Sequence, residues 1–118
     1  MARKEKVFIA GHNGMIGSAV LKKFKKNKNF IILTESKKKL DLLDQKQVFK
    51  YLKTKKPDGV IIAAAKVGGI VANNTDRASF IYENLAIQSN LIHGSYLAGV
   101  KNLIFLGSSC IYPKSSKQ

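Results

Sequence analysis

The sequence predicts an α/β fold, a parallel β-sheet wound with helices on both faces. Three features predict it. Short β-branched and aromatic runs alternate with stretches of helical period. One run, "GVIIAAA", is apolar without interruption, as a strand covered on both faces must be. A glycine-rich turn, "GHNGMIG", stands between the first run and the first helical stretch. A length of 118 residues fits one domain. The 45% hydrophobic fraction falls in discrete runs, with no repeat or Pro/Gly-rich linker between them, which excludes a disordered chain.

The elements follow in order. "KVFIAG" reads as a buried strand ending at Gly11. From Gly14 the period becomes helical, with Ile16, Ala19, Val20 and Phe24 on one side. Lys22, Lys23, Lys25 and Lys26 crowd the end of that helix, where the macrodipole favours cations. "NFIILT" is a second strand, and "LDLL" is expected as a short third one. The connection "ESKKK" between them is shorter than a parallel crossover usually needs. Asp44 then opens a helix as N-cap, with Gln47 as its capping-box partner. Val48 and Leu52 face inward, and Pro57 marks the stop. "GVIIAAA" is the fourth strand. A long helix runs from Arg77 to Ala98, closed by Gly99, and "NLIFLG" is the last strand. This order predicts a Rossmann-type doubly wound parallel sheet, truncated after the fifth strand.

Charge is the unusual feature of the composition. A net charge of +14 is the footprint of a nucleic-acid binder. The lysines, however, lie on outer helix faces and in connecting loops, with no basic arm and no regular interleaving with aromatics. They read as a solvated surface that also steers anionic ligands, not as a specific nucleic-acid interface. A single cysteine, Cys110, excludes an internal disulfide and suits a reducing compartment. The apolar run near the N-terminus is too short for a signal-peptide core or a membrane span, so a cytoplasmic chain with no membrane partner is expected.

Four motifs carry chemistry. In "GHNGMIG", Gly11 allows a tight turn, Gly14 lets backbone approach a pyrophosphate, and Gly17 allows a helix to lie close on a strand. The helix N-terminus behind them offers free N–H groups to phosphate. At the end of the second strand, Glu35 suits the ribose hydroxyls of NAD, whereas Lys37, Lys38 and Lys39 could instead hold the 2′-phosphate of NADP. Ala63, Ala64 and Ala65 end the fourth strand with small side chains, leaving room for a ligand at the sheet edge, and Gly68 and Gly69 suggest a mobile loop beyond. In "GSSCIYP", a serine hydroxyl can hydrogen-bond a carbonyl oxygen, and a thiol of lowered pKa can act as a base. Cys110 is equally readable as a small buried hydrophobe. His12 and His93 have no partners at metal-ligand spacing, and no metal site is expected.

Together "VFIAGHNGMIGSAV", "AAAKVGGIVANN" and "FLGSSCIYPK" closely resemble the GDP-L-fucose synthase family, the GDP-4-keto-6-deoxy-D-mannose 3,5-epimerase/4-reductases of the extended short-chain dehydrogenases/reductases. The resemblance runs over essentially all of the chain. It implies an NADP-dependent, homodimeric, cytoplasmic oxidoreductase and epimerase of nucleotide-sugar metabolism, acting on a GDP-sugar. It implies that Gly11, Asn13, Gly14, Met15, Ile16 and Gly17 hold the cofactor around its pyrophosphate. Asp41 and Leu42 would border the adenine. Ala63, Ala64, Ala65, Leu106 and Gly107 would line the ribose and nicotinamide path. Ser108 would orient the sugar carbonyl, Ser109 would shape the pocket, and Cys110 would be the epimerisation base.

Two departures from the family stand out. The family often carries arginine where Asn13 and Glu35 stand, which leaves NAD open beside NADP. The family's Tyr-x-x-x-Lys pair and histidine acid, and most of its sugar-nucleotide domain, follow the "GSSCIYP" stretch and are absent here. Tyr51 and Lys55 have the spacing but lie before the fourth strand, so the pair reads as chance. Residues 1–118 are therefore expected to form an incomplete NAD(P)-binding domain without its substrate domain, inactive alone. A complementing C-terminal fragment is a possible partner. The alternatives are a fragment of another NAD(P)-dependent nucleotide-sugar epimerase/reductase, or a basic nucleotide- or nucleic-acid-binding module.

Overall fold

The structure is a computed structural model that describes residues 3–108 and 112–115. Its centre is β1 (Glu5–Ala10), which pairs in parallel with β2 (Phe30–Leu33) on one side and β3 (Gly59–Ile62) on the other. The last strand, β4 (Asn102–Phe105), extends the sheet in parallel beside β3, giving the order β2-β1-β3-β4. The order reverses at β1, where β2 turns to one side and β3 to the other. That reversal opens a crevice at the carboxyl ends of the strands.

Alternate residues of β1 face opposite sides, and both sides are covered. Val7 and Ile9, with Ile61 of β3, meet Val20, Leu21 and Phe24 of α1 (Met15–Lys25). Phe8 and Ala10, with Val60 and Ile62, meet Val48 and Leu52 of α2 (Gln45–Lys55) and Leu91 of α4 (Arg77–Leu97). This double cover explains why the β1 and β3 sequences show no polar alternation, whereas β4 is exposed along its length. Burying a side chain such as Leu52, which is wholly inaccessible, contributes about 1.5–3 kcal/mol.

The helix starting at residue 15 is rotated from its expected orientation. Ile16 is 53% exposed and Ala19 is exposed, while Gly17 is buried and Val20, Leu21 and Phe24 face the sheet. Gly17 sets this rotation, because it is the helix residue pressed against the loop. The cap of α2 is as expected: the Asp44 carboxylate accepts from the Gln47 N–H at 3.1 Å, and Val48 and Leu52 point inward. The Gln47 side chain differs in its partner. Its amide oxygen accepts from the Asp41 N–H rather than from that of Asp44.

No strand forms at "LDLL". The crossover after β2 is too short, and the chain makes two turns instead. The Leu40 N–H donates to the Ser36 carbonyl at 2.9 Å and the Asp44 N–H to the Asp41 carbonyl at 3.0 Å. Leu40 plugs the core between them. Among the described residues the sheet thus has four strands where the sequence predicts five. A short helix, α3 (Ile70–Thr75), replaces the loop expected after Gly69. It buries no residue and is held locally, with the Asn73 amide donating to the carbonyls of Gly68 and Gly69.

Candidate cofactor cleft

The glycine turn is built against β3. Gly11 has φ +88°, a conformation that side chains rarely adopt. A Cβ on Gly11 would stand 2.6 Å from the backbone nitrogen of Ala64, and one on Gly17 would stand 1.8 Å from the Gly11 carbonyl oxygen. The turn is thus locked between α1 and the end of β3. Gly14 is different: its Cβ would meet only the Gly11 oxygen, at an ordinary 3.5 Å. The fold itself leaves space over this residue. Among the described residues no side chain caps the N-terminus of α1, and the N–H groups of its first turn face outward with their dipole.

The turn forms one wall of a cleft of about 570 Å³. The opposite walls are Glu35 and Lys37 after β2, the Leu40–Leu43 turns, Ala63–Lys66 after β3, and Glu83 and Ile87 of α4. Of the residues expected at a cofactor site, Gly11, Asn13, Gly14, Asp41, Leu42, Ala63, Ala64 and Ala65 line it together. Met15 and Ile16 do not line it and are 87% and 53% exposed, because the helix turns them to solvent. Gly17 lies beneath the turn rather than in the cleft. Leu106, Gly107 and Ser108 follow β4 at the same sheet edge but are exposed and outside the cleft. The Leu106 N–H donates to the Ile62 carbonyl at 3.2 Å, which continues the β4 pairing to the edge. Cys110 and Ser109 lie outside the described residues.

The electrostatics of the cleft come from both signs. Glu35 is half-buried and accepts from the Tyr51 hydroxyl at 3.4 Å. Burial, and then the Glu35 charge, push the Tyr51 phenol well above its ordinary value, so it stays a neutral donor. Tyr51 packs on Phe8, ring centroids 5.0 Å apart, and its partner is Glu35 rather than Lys55, which is exposed. His93 lies between the rings of Phe49 and Tyr96, away from the cleft, whereas His12 lines it. Among the described residues no three His, Cys, Asp or Glu side chains gather as a metal site.

One polar cluster escaped the sequence. Lys66 Nζ donates to Ser79 Oγ at 2.6 Å, sits 3.4 Å from Asp76 and 3.5 Å from Glu83, and lies over the Phe80 ring. The Asn84 side chain clamps the Lys66 backbone on both its N–H and its carbonyl. The available signal was a charged residue directly after the apolar run "GVIIAAA", with Ser79 and Glu83 one turn apart in the long helix and Asn84 beside them.

Relatives share this architecture. The chain is 49% identical over 115 residues to the GDP-L-fucose synthase of Escherichia coli (strain K12), covering 98% of this chain and 36% of that protein. It is 51% identical over 120 residues to the putative GDP-L-fucose synthase 2 of Arabidopsis thaliana, covering 100% and 36%. Among solved structures, a GDP-mannoheptose C4 reductase from Campylobacter jejuni with NADP bound superposes with a TM-score of 0.90 at 41% identity, covering 99% of this chain and 34% of that one. The chain therefore spans about a third of the length of these relatives. Among the described residues no helix is long and apolar enough to cross a membrane. Residues 7–118 match the NAD dependent epimerase/dehydratase profile, and the chain belongs to that family.

Proposed function

We propose that this chain is the N-terminal, cofactor-binding part of a GDP-L-fucose synthase that uses NADP. The observation that carries the reading is the glycine turn: it is locked by the fold at Gly11 and Gly17 yet open at Gly14, where only a ligand needs the space. The residues fit the cofactor. Gly11, Asn13 and Gly14 hold the pyrophosphate with the uncapped N-terminus of α1. Asp41 and Leu42 border the adenine, and Ala63–Ala65, with Leu106 and Gly107, line the path toward the nicotinamide. Residues 1–118 form an incomplete domain, and the substrate domain is supplied by sequence of the kind the relatives carry beyond the matched third.

NADPH, when bound, supplies the hydride that reduces C4 of the sugar. Ser108 hydrogen-bonds the C4 carbonyl oxygen and orients it. Cys110, as thiolate, takes the proton from C3 and from C5 beside that carbonyl, and a general acid from the rest of the protein returns a proton to the opposite face of each carbon, which inverts it. The net positive surface draws the anionic GDP-sugar and cofactor toward the cleft. The site of action is the cytoplasm and the assembly is a homodimer. Ile81, Leu85, Ile92 and Tyr96 support the dimer, since they form an exposed apolar stripe along one face of α4.

A chimera tests this reading. Residues 1–115 replace the aligned part of the Escherichia coli relative, and the product is assayed with NADPH and GDP-4-keto-6-deoxy-D-mannose. Turnover is expected, with Cys110→Ala losing epimerisation and Ser108→Ala losing most of the reduction rate. A folded chimera that binds NADPH but never turns over would overturn it.

A further inference from the structure

The positive charge of the chain is not spread evenly. It gathers at the amino edge of the sheet, opposite the cleft, where every strand is entered through cations. Arg3 and Lys4 precede β1, and Lys101 precedes β4. Lys25, Lys26 and Lys28 lead from α1 into β2. Lys53, Lys55 and Lys56 lead from α2 into β3. All of these are exposed. They share one face, because the backbone ties its parts together. Lys6 Nζ donates to the Lys55 carbonyl at 3.3 Å, the Lys101 N–H to the Asp58 carbonyl at 3.2 Å and the Glu5 N–H to the Asn29 carbonyl at 3.3 Å. Of the seven carboxylates of the chain only Glu5 and Asp58 lie there, and Asp58 is paired with Arg3. The rest lie toward the carboxyl edge: Glu35, Asp41 and Glu83 line the cleft, and Asp44 and Asp76 start α2 and α4.

Helix dipoles account for part of this, since they hold cations in a last turn. Arg3, Lys4, Lys28 and Lys101, however, belong to no helix. Attraction of anionic ligands to the cleft gives no reason for cations on the far edge. A partner of opposite charge does, and the cations narrow its chemistry. Among the described residues the one arginine at this edge, Arg3, is already paired. The others are lysines, hydrated point charges on flexible stems that suit a diffuse layer of charge better than bidentate recognition. The shape narrows it further. Four strand starts spaced about 4.8 Å apart span about 15 Å, with helix ends on both sides. Among the described residues no helix lies across this edge to enter a nucleic-acid groove. A flat field of lysines matches a flat, fluid anionic surface. We propose that the amino edge of the sheet is a docking surface for anionic phospholipid, which holds the chain on a membrane with its cleft facing away. The contact is with the membrane surface alone. It rests on charge and topology and does not depend on the cofactor reading.

The test is sedimentation of the 118-residue chain with vesicles of phosphatidylcholine, alone or mixed with phosphatidylglycerol, at one moderate salt concentration. Binding is expected to the mixed vesicles only. Lys25→Gln, Lys26→Gln and Lys28→Gln together should weaken it about a hundredfold, at about fivefold for each lysine. Lys53→Gln with Lys55→Gln, on a different helix, should weaken it about twentyfold, so a folding defect in one variant leaves the other to decide. Lys38→Gln, Lys39→Gln and Lys46→Gln together remove as much charge from the carboxyl edge as the first triple removes from the amino edge. They should change binding by less than about threefold. No binding to the mixed vesicles, or equal losses in the two triple variants, would overturn the inference. Tighter binding to polyuridylate at matched anionic charge would also overturn it and assign the edge to nucleic acid. Failure of the chain to bind NADPH would overturn the cofactor reading and leave this inference standing.

Discussion

Replacing Gly17 by alanine places a methyl group where the structure has none to spare. The new Cβ would stand 1.8 Å from the Gly11 carbonyl oxygen, whereas real contacts stay beyond 3.0 Å, so helix and turn must part by at least 1.2 Å. The turn cannot yield. Gly11 is itself wedged against the Ala63–Ala64 backbone, which continues from β3 at the middle of the sheet. Overpacking of this kind costs about 1–3 kcal/mol and more where the neighbours are rigid. Alanine recovers about 1 kcal/mol through helix propensity. With the rigid neighbours placing the overpacking cost at the top of its range, about 3 kcal/mol, a net loss of about 2 kcal/mol follows, or about 8 °C in Tm for a domain of this size. Gly14→Ala is the matched control. Its Cβ meets only an ordinary 3.5 Å contact, and the cost is the modest one of a poorer N-cap, about 0.5–1 kcal/mol. Thermal unfolding followed by circular dichroism compares the two. If Gly17→Ala melts like the unaltered chain, or Gly14→Ala melts lower than Gly17→Ala, the account of the turn is wrong.

Two further predictions concern titration. The Tyr51 phenol, half-buried beside the Glu35 carboxylate, should stay neutral until the fold opens. Ultraviolet absorbance against pH should show this late step, and Tyr51→Phe should remove it. Because the fold favours the neutral phenol, its contribution to stability is complete below about pH 10 and declines as pH rises beyond that. Asp58 has the opposite sign. The Lys6 N–H at 2.8 Å and the Arg3 guanidinium hold its carboxyl below the ordinary 3.8. Its contribution is present above that value and lost as pH falls through the lowered one. Asp58→Asn should therefore lower the urea midpoint at pH 6 by more than it does at the acid end of the folded range. An equal drop at both would show that the carboxylate charge is not responsible.

The parts of the fold legible in the sequence are those set by local chemistry. The strands β1 and β3 are short runs of residues that suit only a doubly covered sheet, and Asp44 with Gln47 announces the start of α2. The parts that were not legible depend on distant partners. Leu40 to Leu43 read as a strand because their apolar pattern is real, but it serves a core plug beneath two turns. The inward face of α1 depends on Gly17, whose value lies in having no side chain, which an apolar pattern does not register. The α3 helix has no buried stripe to reveal it. The cleft was legible through Gly11, Gly14 and Ala63–Ala65, whereas Lys66, Glu83 and Ile87 reach it only because α4 folds back over the sheet edge.

The central claim is that the glycine turn and the cleft bind a dinucleotide. Calorimetric titration of the chain with NADPH at moderate salt tests it most directly, with Gly14→Ala beside it. The account predicts saturable one-to-one binding that Gly14→Ala weakens at least about tenfold, because its methyl group occupies the space over the turn that the pyrophosphate needs. Absence of binding by the folded chain, or binding that Gly14→Ala leaves unchanged, would contradict it.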